Sequence, residues 1–291
     1  MRARGPASQP SLDPGLGFAP AGPTPRSRPF PRMPAVWFEE KLIYYPVRHP
    51  EGLYAASSRP GGPRDVDLVA EDGVRLHAWL REPAAPVATF LFCHGNAGNL
   101  THRLDILERL AAAGIRTFIF DYRGYGRSEG KPGEEGLYRD ARAAYDRLAA
   151  EPGVEPGRIF AYGESLGGAV AAQLTLDRPC AGVILQSTFR SLRAIGRETF
   201  PVLHLLARHR FETEAKLARI AAPVLVVHGE ADTLIGPHHA RRLHEAAREP
   251  KWLHLVPRAD HNDLWEVGGR DLVLRLRRFA TEDAARPVAR A

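Results

Sequence analysis

Gly163-Glu164-Ser165-Leu166-Gly167 is the pentapeptide that decides the fold of this chain. An apolar run typical of a buried strand, Arg158–Tyr162, precedes it, and a helix-period segment rich in Gly and Ala, Leu166–Leu176, follows it. A serine placed between a strand and a helix stands on a sharp, strained turn, and the flanking glycines leave room for that turn. The pattern predicts that the Ser165 hydroxyl is exposed at the carboxyl edge of a sheet, beside the positive end of a helix, and acts as a nucleophile.

The rest of the chain alternates apolar runs of strand length with segments of helical period. The predicted strands are Ala88–Cys93, Arg116–Asp121, Arg158–Tyr162, Gly182–Gln186, Pro223–His228 and Trp252–Val256. The predicted helices are Leu104–Ala113, Glu135–Ala150, Leu166–Leu176, His238–Ala247 and Asp271–Phe279. Apolar strands separated by helices predict an α/β fold with a mostly parallel sheet that helices cover on both faces.

Two parts of the chain depart from this alternation. Val66–Ala70 and Val74–Leu80 flank a short turn and predict an antiparallel hairpin at one edge of the sheet. Residues 187–222 contain no clear strand, and a loop of that length in a compact domain is usually functional, so we interpret it as a small helical lid. The predicted lining of a substrate pocket beneath it is Phe189, Leu192, Phe200 and Leu234.

A serine hydroxyl is a weak nucleophile at neutral pH, so it needs a histidine base and a carboxylate that orients the base. Enzymes with a serine on such a turn present these partners in the order Ser, acid, His, each on a loop after a strand. Asp232 and His261 each follow a predicted strand in this order. The sequence therefore predicts a triad of Ser165, Asp232 and His261. Glu230 and Asp263 lie close by and are poorer candidates for the acid.

A glycine-rich turn, His94–Asn99, follows the first strand of the alternating part. Such a turn aims backbone N–H groups at one point, and the backbone N–H groups of Asn96 and Leu166 are the predicted oxyanion hole. A plain tight turn before a helix is the alternative. A second glycine-rich loop, Asp121–Gly130, misses the dinucleotide-binding pattern and lacks the helix that should follow it. We interpret this loop as a rigid wall beside the pocket, and Ser128 within it is not expected to be a nucleophile.

Composition limits the other function classes. The chain has 291 residues, 44% of them hydrophobic and 25% charged, as is ordinary for one soluble globular domain. Most of its net charge of +6 lies in the first stretch of the chain, and no nucleic-acid-binding module is recognisable, so no nucleic-acid partner is expected. No run could cross a bilayer and no secretory leader is visible, so we expect a cytoplasmic protein.

The cysteines and histidines predict neither a disulfide nor a metal centre. Cys93 and Cys180 lie in or beside apolar runs and are expected to be free thiols. His238, His239 and His244 lie on a predicted helix at spacings that miss the zinc-binding pair, so we expect them on the surface. Neither a metal nor another cofactor is predicted.

The two ends of the chain differ in composition from its middle. Residues 1–34 are dense in Pro, Gly, Ser and Arg and are predicted to be disordered, as is the tail 284–291. A single domain over residues 35–283 is expected between them. Met33 is the only methionine besides Met1, and it is a candidate start of translation.

Several motifs in fixed order are similar to those of the small-lid α/β-hydrolases. That family includes bacterial proteins described as serine-aminopeptidase-like or lysophospholipase-like, and eukaryotic proteins that remove palmitate from protein cysteines. The motifs are His94–Asn99, Asp121–Ser128, Gly163–Gly168, Ser187–Phe189, His228–Asp232 and His261–Asp263. The resemblance implies the α/β-hydrolase fold over about Phe38–Phe279 and the same triad and oxyanion donors, and it says little about the substrate.

The chain departs from the resembling proteins at three places. Many of them carry an apolar membrane anchor where this chain has its proline-rich stretch, and proline is common among them at the position of Gly236. They usually have glycine directly before the catalytic histidine, where this chain has Asp260. A nearby carboxylate favours imidazolium, so Asp260 is predicted to move the rise of activity to higher pH if its side chain turns inward.

The leading functional prediction is a serine hydrolase that cleaves a carboxylic ester or thioester of a small-molecule or lipid-like acyl substrate. A small-peptide hydrolase is the alternative among enzymes, and a non-catalytic binding protein is the alternative outside them. Weak peripheral membrane contact through Phe200–Ala207 and nearby arginines is a further hypothesis. A lid helix that covers the pocket is favoured over it.

Overall fold

The structure is a computed structural model that describes residues 40–199 and 209–284. The predicted tail 1–34, the pocket residue Phe200 and the segment 201–208 therefore lie outside the described residues. Within the described ranges, no helix combines the length and the apolar character needed to cross a bilayer. Cys93 and Cys180 are both free, as predicted.

The described chain alternates strands and helices as the sequence predicts. The strands are β1 (Tyr45–Pro46), β2 (Arg64–Val69), β3 (Arg75–Arg81), β4 (Ala88–Cys93), β5 (Ala97–Gly98), β6 (Ile115–Phe120), β7 (Ile159–Glu164), β8 (Gly182–Gln186), β9 (Val224–Gly229) and β10 (Lys251–Val256). The helices are α1 (Leu104–Ala112), α2 (Glu134–Ala149), α3 (Leu166–Asp177), α4 (Leu192–Thr199), α5 (Thr213–Leu217), α6 (His238–Ala246) and α7 (Leu264–Arg278). Only α7 differs much from its prediction, because it begins before Asp271 and continues through a non-helical residue at Gly269.

Eight of these strands form one sheet in the order β10-β9-β8-β7-β4-β6-β3-β2. Strands β4 and β6 to β10 run parallel, β3 is antiparallel to β6, and β2 is antiparallel to β3. The predicted edge hairpin and the mostly parallel sheet are therefore confirmed. The short parallel pair of β1 and β5 was not predicted, because two-residue strands leave no periodic pattern in a sequence.

The sheet separates two hydrophobic cores, since successive side chains of a strand point to opposite faces. On one face Leu91 and Phe118 pack with apolar residues of α2, α3, α5 and α6. On the other face Phe90 and Ile119 pack with apolar residues of α1 and α7. Helices thus cover both faces, and the central strands β4 and β6 are buried along almost their whole length.

The parallel strands bring the predicted site together at one edge. The carboxyl ends of parallel strands meet at the same edge of a sheet, which is where such folds bind ligands. The turn after β4 carries Asn96, the turn after β7 carries Ser165, and the loops after β9 and β10 carry Asp232 and His261. Segments far apart in the sequence therefore converge on one place.

Candidate active site

Ser165 stands between β7 and α3 on the turn that the sequence predicts. Its backbone has φ 52° and ψ −117°, a conformation that non-glycine residues rarely adopt; such strain costs about 1–3 kcal/mol. Glycines on both sides make this turn possible, because a Cβ on Gly163 would collide with the carbonyl oxygen of Gly167, and a Cβ on Gly167 would collide with that of Cys93. The Thr188 hydroxyl, in the segment after β8, donates to the Ser165 carbonyl oxygen at 2.6 Å and holds the turn.

His261 and Asp232 contact each other. Nδ1 of His261 lies 2.8 Å from Oδ2 of Asp232, which is hydrogen-bonding distance. A carboxylate only accepts, so Nδ1 carries the proton and Nε2 of the neutral imidazole is an acceptor. The His261 side chain is 10% exposed and that of Asp232 is fully buried. His261 and Ser165 line the same cavity, so the structure brings the three predicted residues together.

A second histidine, His228, also contacts Asp232, and sequence reasoning assigned it no role. Nε2 of His228 lies 3.2 Å from Oδ2 of Asp232 and 2.7 Å from the carbonyl oxygen of Ile235. The Leu234 and Ile235 N–H groups donate to Oδ1 at 3.0 and 2.7 Å. Burial alone would raise the pKa of Asp232, but hydrogen bonds from His228, His261 and Ile235 outweigh burial and hold that pKa well below its usual value. Asp232 is therefore a carboxylate at neutral pH.

Glu164, the residue before Ser165, forms an ion pair with Arg103. Nε and Nη2 of Arg103 donate to the two carboxylate oxygens at 3.0 and 2.8 Å, and the side chains are only 13% and 19% exposed. Burial alone would raise the pKa of Glu164, but the charge and hydrogen bonds of Arg103 outweigh it and lower that pKa. Arg103 also donates to the carbonyl oxygen of Ala97 at 3.3 Å. It thus joins the serine turn to the turn after β4, a contact that sequence reasoning missed.

The turn after β4 carries Asn96, the first predicted oxyanion donor. Its carbonyl oxygen accepts hydrogen bonds from the Tyr45 N–H at 3.0 Å and the Tyr125 hydroxyl at 2.8 Å. Leu166, the second predicted donor, is the first residue of α3, and the first N–H groups of a helix have no partner inside it. Asn96 and Leu166 both line the cavity that contains Ser165.

The glycine-rich loop Asp121–Gly130 has a different role from the one expected. It contributes no residue to the described lining of this cavity, so the expectation of a pocket wall is wrong. Its tyrosines support the turn after β4 from behind, because the Tyr122 hydroxyl donates to the His94 carbonyl oxygen at 2.9 Å and Tyr125 holds Asn96. The Ser128 hydroxyl donates to a backbone carbonyl of the same loop at 2.7 Å.

The cavity at Ser165 has a volume of about 450 Å³. Volumes of roughly 300–1,000 Å³ are usual for sites that bind small molecules. Its lining is mostly apolar, and most of the apolar side chains come from the start of the described chain, the segment after β8 and the loop after β9. The apolar lining residues are Leu42, Ile43, Tyr45, Ala97, Leu166, Phe189, Leu192, Ile195, Leu234 and Ile235. Three of the predicted pocket residues, Phe189, Leu192 and Leu234, are among them, and the fourth, Phe200, lies outside the described residues.

The other acidic residues near His261 bind elsewhere. Oδ1 of Asp263 accepts the Asp260 N–H at 2.7 Å, and Glu230 is exposed. The carboxylate of Asp260 binds Thr233 and the backbone N–H of His261. The expected effect of the Asp260 charge on the imidazole required a carboxylate that turns into the site. The carboxylate instead binds Thr233 and the His261 backbone, and Asp260 does not line the cavity.

One group of described side chains could hold a metal ion, namely Glu198, His238 and His239, whose ligand atoms all lie within 4.8 Å of one another. His238 is exposed, as expected, whereas His239 is fully buried, which corrects the surface expectation for that residue: α6 packs His239 against the segment after β8. Its Nδ1 accepts the Arg190 N–H at 3.3 Å, so Nε2 carries the proton and donates to Glu198 at 3.2 Å. A metal-bound imidazole normally donates through its other nitrogen, so the arrangement fits hydrogen bonds between α4 and α6 better than a metal.

Comparisons with known proteins identify the family to which the chain belongs. Residues 84–213 match the family described as serine aminopeptidase, S33. The chain is 39% identical over 254 residues to an uncharacterized protein of Mycobacterium tuberculosis, covering 86% of this chain and 90% of that protein. It is 35% identical over 264 residues to the α/β-hydrolase domain-containing protein WAV2 of Arabidopsis thaliana, covering 80% of this chain and 84% of that protein.

The chain belongs to the α/β-hydrolase family. Among solved structures, the esterase Pf2001 of Pyrococcus furiosus aligns with a TM-score of 0.67 at 20% identity, covering 81% of this chain and 97% of that one. An esterase domain from Rhodothermus marinus aligns with a TM-score of 0.56 at 24% identity, covering 74% of this chain and 98% of that one. Likenesses at this level of identity show the fold of the hydrolase, and they confirm the fold that the motifs imply.

Proposed function

We propose that this α/β-hydrolase cleaves a carboxylic ester or thioester of an acyl substrate through an acyl-enzyme on Ser165. One observation carries the proposal. A serine with a strained backbone and a histidine line one apolar cavity, and Nδ1 of that histidine is held 2.8 Å from a buried carboxylate. This is the arrangement that activates a serine hydroxyl, because the base has its free nitrogen available and its charged form has a partner.

In the proposed reaction, His261 takes the proton of Ser165 as the serine oxygen attacks the acyl carbonyl carbon. Asp232 holds the imidazole in the required tautomer and stabilises the imidazolium that forms. The carbonyl oxygen becomes an oxyanion, which the backbone N–H groups of Asn96 and Leu166 stabilise. The imidazolium then protonates the departing alcohol or thiol. Water, activated by the same histidine, attacks the acyl-enzyme and releases the acid.

The lining of the cavity favours an acyl substrate over a peptide. An aminopeptidase binds a charged α-amino group, which calls for a carboxylate that is available in the pocket. The acidic residue in the described lining is Glu164, and Arg103 already engages both of its oxygens. The apolar side chains around Ser165 instead suit an acyl chain, whose burial stabilises the complex by about 0.8 kcal/mol per methylene.

A fluorophosphonate probe tests the nucleophile, and a panel of p-nitrophenyl esters of graded chain length tests the acyl substrate. We expect stoichiometric labelling of the wild type and none of Ser165→Ala, whose turnover falls on the order of 10⁴-fold or more. Ser58→Ala is the matched control, because Ser58 is exposed and does not line the cavity. Labelling of Ser165→Ala would exclude Ser165 as the nucleophile, and an unlabelled wild type would favour a non-catalytic member of the family.

A further inference from the structure

The loops that carry Asp232 and His261 are joined by one side chain, that of Asp260. We infer that Asp260 is a positioning residue that holds the imidazole of His261 against Asp232. The inference rests on the proposed function, because it concerns how the proposed acid–base pair is kept in place.

The carboxylate of Asp260 binds both loops at once. Its Oδ1 accepts hydrogen bonds from the backbone N–H groups of Thr233 and His261, both at 2.7 Å. The Thr233 hydroxyl adds longer contacts of 3.1 and 3.2 Å to the two carboxylate oxygens. Thr233 directly follows Asp232 in the chain, so a single oxygen atom links the neighbour of the acid to the base itself.

Backbone hydrogen bonds between these loops stop before the catalytic residues. Pairing of β9 with β10 ends at Gly229 and Val256, and the loops are then joined by the Ala231 N–H, which donates to the Ala259 carbonyl oxygen at 2.9 Å. Asp260 lies one residue further along. It therefore extends the connection past the last backbone bond to the positions where orientation of the imidazole matters.

Asp260 is itself fixed from the other side. Its N–H donates at 2.7 Å to Oδ1 of Asp263, the residue before α7. The N–H groups of Thr233 and His261 also lower the pKa of Asp260, so its carboxylate stays charged at neutral pH. An acceptor anchored to a helix and bonded to both loops restricts rotation of the His261 backbone.

If Asp260 positions His261, its replacement should change the rate of the chemical step and not substrate binding, because Asp260 does not line the cavity. Two variants separate geometry from charge. Asp260→Asn keeps an oxygen at the position of Oδ1 and removes the charge, whereas Asp260→Glu keeps the charge and displaces the oxygens by one methylene. Glu230→Gln is the matched control, since it removes a negative charge from the loop after β9 without touching these bonds.

We expect Asp260→Glu to lower kcat and the rate of fluorophosphonate labelling about 10-fold with KM unchanged, because misplaced catalytic groups lose rate steeply. Asp260→Asn should stay within about 3-fold of wild type, since its amide oxygen accepts both N–H groups. The pH at which the rate rises should be the same in all variants. Thermal unfolding of each variant sets an assay temperature well below the lowest transition.

The inference is overturned if Asp260→Glu has the wild-type rate and the pH–rate profile of Asp260→Asn moves to lower pH. That result would show that the charge of Asp260, and not its hydrogen bonds, affects His261. A wild-type rate in both Asp260 variants overturns it as well. Failure of the proposed function is distinguishable, because the wild type itself would then not be labelled by the probe.

Discussion

Replacing Arg103 by methionine leaves the carboxylate of Glu164 without its partner beside Ser165. Removing one member of a buried ion pair costs about 3–5 kcal/mol, whereas replacing both members by neutral residues is often close to neutral. Arg103 and Glu164 keep 13% and 19% of their side-chain surface exposed, which argues for the lower end of that range. We expect Arg103→Met to lose about 3 kcal/mol of unfolding free energy at pH 7. In a domain of this size that loss corresponds to a fall of roughly 6–12 °C in Tm.

The sign of the pH dependence follows from the two pKa directions. In the wild type the pKa of Glu164 is lowered. The ionised Glu164 therefore stabilises the fold above the pKa that this residue has in the unfolded chain, and this stabilisation is lost as the pH falls. In Arg103→Met the main group that opposes burial is gone, so we expect burial to raise that pKa and stability to be lost as the pH rises through the raised value. The deficit of the variant relative to wild type should therefore be small near pH 4 and largest at pH 7 to 8.

The assay is thermal unfolding at a series of pH values, with Arg103→Met/Glu164→Gln as the matched double variant. The double variant carries no buried carboxylate at this position, so most of the lost stability should return at pH 7. Equal losses in the single and double variants, or a deficit that does not shrink as the pH falls, would show that the cost comes from packing and not from the unpaired charge.

Two further predictions concern the acyl pocket and a buried lysine. Because Ile195 lines the cavity, Ile195→Trp should lower kcat/KM for long-chain p-nitrophenyl esters at least about 10-fold and leave kcat/KM for the acetate ester within about 2-fold. Arg193→Trp is the control, since Arg193 is exposed on α4. An unchanged chain-length profile in Ile195→Trp would show that Ile195 does not line the acyl pocket. Lys216 is buried with its Nζ 2.6 Å from the Tyr138 hydroxyl, and burial lowers its pKa to about 8. The unfolded chain therefore binds more protons between pH 8 and 10, and the stability of the wild type relative to Lys216→Met should rise by up to about 3 kcal/mol across that window. A difference that stays constant with pH would contradict the lowered pKa.

Short-range patterns in the sequence determined the elements of this fold and the position of its proposed nucleophile. The alternation of apolar strands with helices predicted the parallel sheet, because periodicity records which side of an element is buried. Gly163 and Gly167 marked the serine turn, since only glycine leaves room for it. Chain order alone then indicated Asp232 and His261, because every parallel strand delivers its following loop to the same edge.

Only the tertiary structure decided which side chains support these residues. Arg103 and Glu164 are 61 positions apart in the chain, and they meet because β4 and β7 are neighbours in the sheet. His228 belongs to an apolar strand, and its contact with Asp232 depends on how the following loop turns back.

The direction of the Asp260 side chain was open in the sequence for the same reason. An aspartate at this position could place its charge beside the imidazole or link the two loops by hydrogen bonds. The two possibilities differ only in where the carboxylate points. Local patterns record burial and backbone conformation, whereas contacts between distant side chains depend on strand order and loop geometry, which no single segment of the sequence contains.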